Sequence, residues 1–233
     1  MSDGDTLVPA LARLVLRLPA APDRSDALSE LIHTATDVLP VSGAAVTLLE
    51  DDRYEVAGAV PEELAEVEVV QQVAARGPLV DALRGGEPVA VTDARRCGDR
   101  WPEYSSAAAH YGVPAVAAMP LRLGEARLGV LSLYAAAPHD WTPQDLSLGA
   151  LLAGLTAGHL LTADRLRRQQ RLTDQLQHAL SARILVEQAK GVIAGARHIA
   201  PEAAYELIRA HARRNRVRVH EVARAIVELG LRL

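Results

Sequence analysis

The positions of apolar side chains predict an alternation of helices and short strands. Where apolar residues recur at intervals of three and four, as in residues 7–18, they share one face of a helix. Where they alternate with polar residues or form short runs between turn residues, as in residues 54–60, they predict strands. This order predicts the α+β class, with helices on the faces of an antiparallel sheet. The predicted helices cover 7–18, 23–39, 62–75, 79–84 and part of 101–111, and the predicted strands cover 44–49, 54–60, 89–91, 116–123 and 126–134.

A long helix is predicted after the last strand. No proline interrupts the chain between Pro143 and Pro201, so a helix that begins near Thr142 can run to about Ala194. Its first part, residues 146–163, contains no Asp, Glu, Lys or Arg and reaches the lower length limit of a membrane span. Polar side chains within this part and an aspartate at each end favour a helix buried on several sides, against the chain or a second copy. We therefore expect no membrane insertion.

Past residue 164 the apolar residues become sparse. Leu172, Leu176 and Leu180 recur every four residues, which predicts a short coiled-coil stalk, and we expect the helix over residues 146–180 to hold a homodimer. Two further helices, the first starting at Pro201, complete a predicted three-helix bundle. The positions predicted to be buried in this bundle are Leu185, Ala189, Val192, Ile193, Ala196, Ala204, Leu207, Ile208, His211, Val219, Val222, Ala223, Ile226 and Val227.

The opposite face of the first bundle helix has charge at its rim and small residues at its centre. It contains Arg183, Glu187, Lys190, Gly191 and Ala194. A glycine in a helix interior costs about 1 kcal/mol relative to alanine, so Gly191 favours a surface that a partner approaches closely. Lys190 is the only lysine among 25 basic residues, and its compact ammonium suits a narrow pocket or a close phosphate. A solvated Lys190 paired with Glu187 is the alternative.

Charge is distributed unevenly along the 233 residues. The net charge is −4, but residues 165–233 contain 14 basic and 6 acidic side chains, whereas residues 1–164 contain 11 basic and 23 acidic ones. Four of the basic residues are arginines within residues 213–218. A basic C-terminal part indicates a polyanionic partner.

Candidate catalytic and metal-binding chemistry is sparse. The histidines are scattered, and the sequence has no nucleophile motif, phosphate-binding glycine loop or Cys/His cluster, so we expect neither an enzyme nor a metal or cofactor site. Cys97 is the only cysteine and is expected to be an ordinary exposed thiol. A single cysteine and an N-terminus without a basic signal region fit a reducing, cytoplasmic location.

The predicted sheet region carries turn and strand motifs in a characteristic order. They are Gly77–Pro78, Ala82–Leu83, Gly86-Glu87-Pro88-Val89, Asp93, Arg100-Trp101-Pro102, Gly112–Val113, Pro120–Leu121 and the run from Gly129 to Tyr134. Over residues 23–161 the chain thereby resembles a GAF domain, which implies a small-molecule sensor or a dimerisation module. It lacks the motif of the cyclic-nucleotide-binding members, and Cys97 precedes Gly98 rather than a histidine, unlike the usual bilin-attachment pattern. The resemblance therefore leaves two roles open for this domain: binding of an unknown small-molecule ligand, or dimerisation alone.

The predicted bundle carries a second set of motifs. They are Ala179–Leu180, Arg183, Glu187-Gln-Ala-Lys-Gly191, Ala204–Tyr205, Ile208–Arg209 and Val222–Ala223. Residues 172–229 resemble an ANTAR domain, the RNA-binding output module of transcription antiterminators. The resemblance implies binding to an RNA hairpin with two loops, which prevents a terminator from forming. Arg218–Val219 stands where the family often has Lys-Leu, and Asn215 is displaced by about one position from the family's usual asparagine.

These observations predict a signal-responsive, RNA-binding regulator in three parts. An N-terminal helix covers residues 1–22, a GAF-like sensor domain covers 23–161, and a coiled-coil stalk with the ANTAR bundle covers 162–233. Two other functions stay open: a DNA-binding transcriptional regulator, and a GAF dimerisation scaffold with a protein-binding tail. Glu187 is expected to orient Arg183 or Lys190. The expected RNA-binding residues are Arg183, Gln188, Lys190, Gly191, Ala194, Arg209, Arg213, Arg214, Asn215, Arg216 and Arg218.

Overall fold

The computed structural model describes residues 4–21, 23–51 and 53–233, so residues 1–3 and 22 of the predicted N-terminal segment lie outside it. By their internal contacts the residues fall into two compact units, Met1–Ala163 and Asp164–Leu233. The elements in chain order are α1 (Gly4–Arg17), α2 (Arg24–Val38), β1 (Gly43–Glu50), β2 (Arg53–Val60), α3 (Leu64–Ala74), α4 (Pro78–Gly85), β3 (Val89–Val91), α5 (Pro102–His110), β4 (Ala115–Leu123), β5 (Ala126–Ala135), α6 (Pro143–Arg197), α7 (Pro201–Asn215) and α8 (Val219–Leu229).

The first unit is built on one five-stranded antiparallel sheet with the strand order β2-β1-β5-β4-β3. The predicted α+β class is confirmed, and each predicted strand and helix of this unit is present with its ends shifted by a few residues. Two 3-10 turns, Leu18–Ala20 and Ala94–Arg96, were not predicted. Each contains only three residues, too few to produce a periodic pattern in the sequence.

Helices cover both faces of the sheet. On one face, α1, α2 and the first part of α6 share a core of leucines and alanines with the central strands. Gly149 lets α6 approach this face closely, because a Cβ atom there would lie 3.1 Å from Met119 Cγ and from Leu133 Cδ1. On the other face, α3 and α5 pack around Tyr104 and Tyr134, with α4 covering a smaller cluster. The core contains no phenylalanine, so its volume comes from aliphatic side chains, these buried tyrosines and Trp101.

The long helix α6 is present as predicted and is not interrupted by its glycines. Its start is fixed by a reciprocal cap, in which the backbone N–H of Thr142 donates to Asp145 Oδ2 and the backbone N–H of Asp145 donates to Thr142 Oγ1. Within the described residues, α6 is the one helix that is long and apolar enough to cross a membrane by length and composition. The apolar part buries one face, including Leu152 and Leu160, in the core of the first unit, whereas Leu151 is 46% exposed. A single chain therefore does not bury this part of α6 on the several sides that the sequence led us to expect.

The second unit is a bundle formed by the last part of α6 with α7 and α8. Its fully buried residues are Ala189, Ile193, Ala204, Ile208, Ala212, Val222, Ala223 and Ile226. The prediction was wrong for Val192 and Ala196, which are exposed. Five further predicted positions are only half-buried: Leu185, Leu207, His211, Val219 and Val227. The buried arc of α6 instead continues through Val186. A 3.6-residue period fits several neighbouring arcs almost equally well, and only the partner helices select one of them.

An ionisable side chain lies in the core of the first unit. Glu68 of α3 is fully buried, and its carboxyl oxygens accept hydrogen bonds from Thr47 Oγ1 at 2.6 Å and from the Tyr134 hydroxyl at 2.5 Å. Burial disfavours the carboxylate and raises the pKa of Glu68 above its ordinary value. The same burial raises the pKa of Tyr134.

We expect Glu68→Gln to remove a pH dependence of stability. Because the folded pKa is raised, the contribution of Glu68 is fully present below its ordinary pKa of 4.5 and is lost as the pH rises through the folded pKa. Within that window the free energy of unfolding of wild type should fall relative to the variant, by up to about 1.4 kcal/mol per pH unit. Urea unfolding from pH 4 to 8 measures this difference. The exposed Glu66→Gln on the same helix is the control, and a wild-type-minus-Glu68→Gln difference that is constant with pH contradicts the prediction.

Candidate nucleic-acid interface

Lys190 lies at the centre of the second unit's most distinctive surface. Its Nζ donates to both carboxylate oxygens of Glu187, at 2.9 and 3.1 Å, and lies 5.9 Å from the centroid of the Tyr205 ring. Only 17% of the Lys190 side chain is exposed, against 60% for Glu187. A carboxylate and an aromatic face therefore hold the ammonium in one place, with its charge directed towards a surface groove.

The groove around Lys190 is formed by all three helices of the bundle and has a volume of about 430 Å³. We call it the three-helix groove. Its lining combines apolar side chains with polar and charged ones, an arrangement suited to a flat ring with hydrogen-bonding edges. It is lined by Ala182, Arg183, Val186, Glu187 and Lys190 of α6, Tyr205 of α7, and Val219 and His220 of α8.

Profiles of known families match both units of the chain. The profile of the GAF domain matches residues 21–160, more than half of the chain, and the profile of the ANTAR domain matches residues 174–227.

The chain belongs to the GAF family.

An ANTAR domain follows the GAF domain in the same chain. This architecture is typical of non-enzymatic regulators: the ANTAR domain implies RNA-binding regulation of transcription termination, and the GAF domain implies signal sensing.

Solved structures of GAF domains share the fold of the first unit. The GAF domain of a phosphoenolpyruvate-protein phosphotransferase from Coxiella burnetii is 18% identical with a TM-score of 0.56, and the match covers 70% of this chain and 98% of that one. The GAF domain of the corresponding Acinetobacter protein is 16% identical with a TM-score of 0.54, covering 71% of this chain and 97% of that one. At these identities the likeness shows the fold alone. A comparison with curated proteins gives no match.

The ANTAR domain brings two of the expected RNA-binding residues, Arg183 and Lys190, into the three-helix groove. Gly191 is exposed beside it, and a Cβ atom there would meet nothing within 4 Å. Ala194 does not belong to this open face as predicted, because it is half-buried against the bundle core. Gln188 is exposed but does not line the groove.

The remaining expected residues lie on α7 and at its junction with α8, outside the groove lining. Arg216 ends α7 in the left-handed conformation, with φ of 55°, and the backbone N–H of Arg218 donates to Glu221 Oε2 at 2.9 Å to begin α8. Around this tight turn the exposed residues near one end of the bundle are Arg213, which lies 3.8 Å from Glu206, Arg214, Asn215, Arg216 and Arg218. Arg209 is exposed farther back on α7, 3.6 Å from the same glutamate.

Tyr205 and His220 line the groove but were not among the expected RNA-binding residues. Tyr205 could have been identified from the sequence, since it stands in one of the motifs that resemble an ANTAR domain and is one of only five tyrosines in the chain. His220 could not, because its place at the groove depends on how α8 crosses α6. Helix crossing is a tertiary property that spacing along one helix does not reveal.

Cys97 of the GAF domain is not the exposed thiol that was expected. It is half-buried, its Sγ lies 3.8 Å from the carbonyl oxygen of Asp93, and burial raises the pKa of the thiol. A raised pKa keeps the sulfur protonated and poorly nucleophilic. Across residues 4–21, 23–51 and 53–233, no group of three His, Cys, Asp or Glu side chains is arranged to hold a metal ion.

We expect Gly191→Ala to stabilise the protein. The added methyl group points into open space, so the variant gains helix propensity of about 1 kcal/mol without a clash. Gly195→Ala, also helical and open, is the matched control and should give a similar gain. Urea unfolding measures both, and a less stable Gly191→Ala protein contradicts the open-surface assignment.

Proposed function

We propose that this protein is a signal-responsive regulator whose ANTAR domain binds hairpin RNA and prevents a transcription terminator from forming. The observation that carries the proposal is the three-helix groove, which joins the positive charge of Lys190 and Arg183 to the aromatic ring of Tyr205. RNA hairpin loops present unstacked bases that stack on aromatic side chains, and phosphates that attract cations. A base in the groove can stack on Tyr205 while its edge or the adjacent phosphate meets Lys190.

The exposed arginines at the end of the bundle add long-range attraction. Arg213, Arg214, Arg216 and Arg218 concentrate positive charge on one short segment, and each phosphate contact contributes affinity that falls with salt. Asn215 is held by a bond from its Nδ2 to the carbonyl oxygen of His211 at 2.9 Å, which leaves its side-chain oxygen for a partner. Gln188 and Arg209 are exposed and extend the proposed contact surface around the groove.

Binding to a hairpin accounts for control of termination by mass action. A protein that binds one of two mutually exclusive RNA structures raises the population of that structure over the other by a factor of one plus the ratio of its concentration to its dissociation constant. The terminator then loses the strand it needs. No catalytic step is required, so binding alone performs the regulation.

Duplex DNA is a less suitable partner for this surface. DNA readers of the helix-turn-helix class present base-contacting polar side chains on their last helix. The exposed charged side chains of α8 include two glutamates, Glu221 and Glu228, beside Arg224. A gel shift that compares a pool of randomised-loop RNA hairpins with duplex DNA separates the two functions, and binding to DNA alone overturns our proposal.

We expect Lys190→Ala to weaken binding to a hairpin recovered from that pool by about 1–3 kcal/mol, the range of a charge-assisted hydrogen bond. Lys190→Arg should also weaken binding, because the wider guanidinium does not fit the place between Glu187 and Tyr205. Arg224→Ala, which removes an exposed charge from α8, is the control and should change affinity little. Unchanged affinity in both Lys190 variants, with normal circular dichroism, contradicts a role at the interface.

We also propose that the protein is a homodimer held by the exposed apolar side of α6. Leu151 is 46% exposed, and Leu166, Leu172, Leu176 and Leu180 are each more than half exposed. A second copy of the helix would cover such a stripe. Signal sensing in the GAF domain would then reach the RNA site through the dimer.

Light scattering at micromolar concentration should give about twice the 24.9 kDa chain mass. The double variant Leu176→Glu/Leu180→Glu should shift the mass towards a monomer, while Leu229→Glu, 82% exposed on α8, should not. A monomeric wild type contradicts the proposal.

Signal sensing by the GAF domain is tested with a leucine zipper fused in place of residues 1–161. If the fusion binds RNA as the full chain does, with and without cell extract, the GAF domain is only a dimerisation scaffold.

A further inference from the structure

The stalk at the start of the second unit is strongly basic. Four arginines lie within seven residues, all of them exposed, and all precede residues 174–227, which the ANTAR profile covers. Arg167 pairs with Asp164 at 3.1 Å. In the described part of the chain, no carboxylate lies within ion-pair distance of the other three, which we call the stalk arginines: Arg165, Arg168 and Arg171.

Arginines of the GAF domain are commonly neutralised by their own chain. Arg17 lies 2.8 Å from Glu30, Arg95 lies 2.7 Å from Asp93, and Arg100 lies 2.7 Å from Asp81. The stalk arginines therefore differ from these in that their charge is not balanced locally. An unbalanced row of guanidinium groups attracts an anionic partner with regularly spaced charges.

Arg168 and Arg171 face the same side of α6 as the bundle, and Arg165 lies between that side and the leucine stripe of the proposed dimer. Eighteen residues make five turns of an α-helix and span about 27 Å, so residues separated by 18 positions lie above one another. Val186 and Ala189 pack towards α7 and α8, and Arg183 lines the groove. Along α6, Arg165 therefore lies in line with Arg183, Arg168 with Val186, and Arg171 with Ala189.

We propose that the stalk arginines bind phosphates of the double-stranded stem of the hairpin whose loop occupies the three-helix groove. The inference rests on the proposed function and extends its site beyond the ANTAR motifs to a separate part of the RNA. Double-stranded RNA hides its base edges in a deep, narrow major groove and is recognised mainly through shape and backbone contacts. Guanidinium groups bind phosphates in bidentate fashion, so three arginines at three-residue spacing suit this backbone without reading sequence.

The test uses the full chain and one hairpin recovered from the randomised-loop pool, made with two stem lengths. A stem of about 12 base pairs spans the 27 Å between groove and stalk at roughly 3 Å per pair, and a stem of about 5 does not. The triple variant Arg165→Gln/Arg168→Gln/Arg171→Gln should lose about tenfold affinity for the long stem. The slope of its log affinity against log salt concentration should become shallower by about 2–3, because three phosphate contacts are lost. Affinity for the short stem should equal that of wild type.

Two matched variants control for charge and for folding. Arg53→Gln/Arg76→Gln/Arg84→Gln removes three exposed arginines from the GAF domain and should bind both hairpins as wild type does. Arg165→Lys/Arg168→Lys/Arg171→Lys keeps the charge and should retain most of the long-stem affinity. The inference is overturned if the stalk triple variant loses nothing, binds more tightly, or loses the same factor on both stems. If wild type binds no hairpin at all, the proposed function itself fails.

Discussion

One helix supplies a buried face to two separate hydrophobic cores. The first part of α6 inserts Leu152, Ala153 and Ala157 beside the sheet of the GAF domain, and its last part inserts Ala189 and Ile193 into the ANTAR bundle. Between these parts the helix has no core of its own and is almost entirely exposed. The whole arrangement depends on the helix remaining helical through that exposed stretch, and helix formers such as Gln, Arg and Leu, with no Gly or Pro from Arg165 to Lys190, make this possible.

Local patterns in the sequence were sufficient to predict the helices and strands of the architecture. Strand alternation, the breaks at Gly77 and Gly86, and the proline-free run after Pro143 each act within a few residues, so they predict elements without knowledge of the fold. The exact buried arc of α6 was not predictable in this way. Val192 and Ala194 exchanged their expected environments because the contacts of α7 and α8, distant in sequence, decide which side of the helix is covered.

The candidate site, too, was predictable only in the part that depends on local sequence. Arg183, Lys190 and Gly191 could be singled out from composition and spacing, since a lone lysine beside a helical glycine is unusual in an arginine-rich chain. The sequence also offered an ordinary ion pair between Glu187 and Lys190 as an alternative. The two interpretations are compatible: the pair forms, and it fixes the ammonium beside Tyr205 at the edge of a groove. An ion pair within a chain is thus no argument against a binding role when it orients the cation.

The three-helix groove exists only while the bundle is folded, since α6, α7 and α8 each contribute part of its lining. If the domain binds RNA as proposed, binding and folding are thermodynamically linked, and an RNA ligand would raise the melting temperature roughly with the logarithm of its concentration. With a core of small and medium aliphatic side chains, the bundle has modest intrinsic stability to lose. Nascent transcripts would then act as a folding partner for the domain, and substitutions such as Ile208→Ala, far from any nucleotide, would register in the cell as defects in termination control.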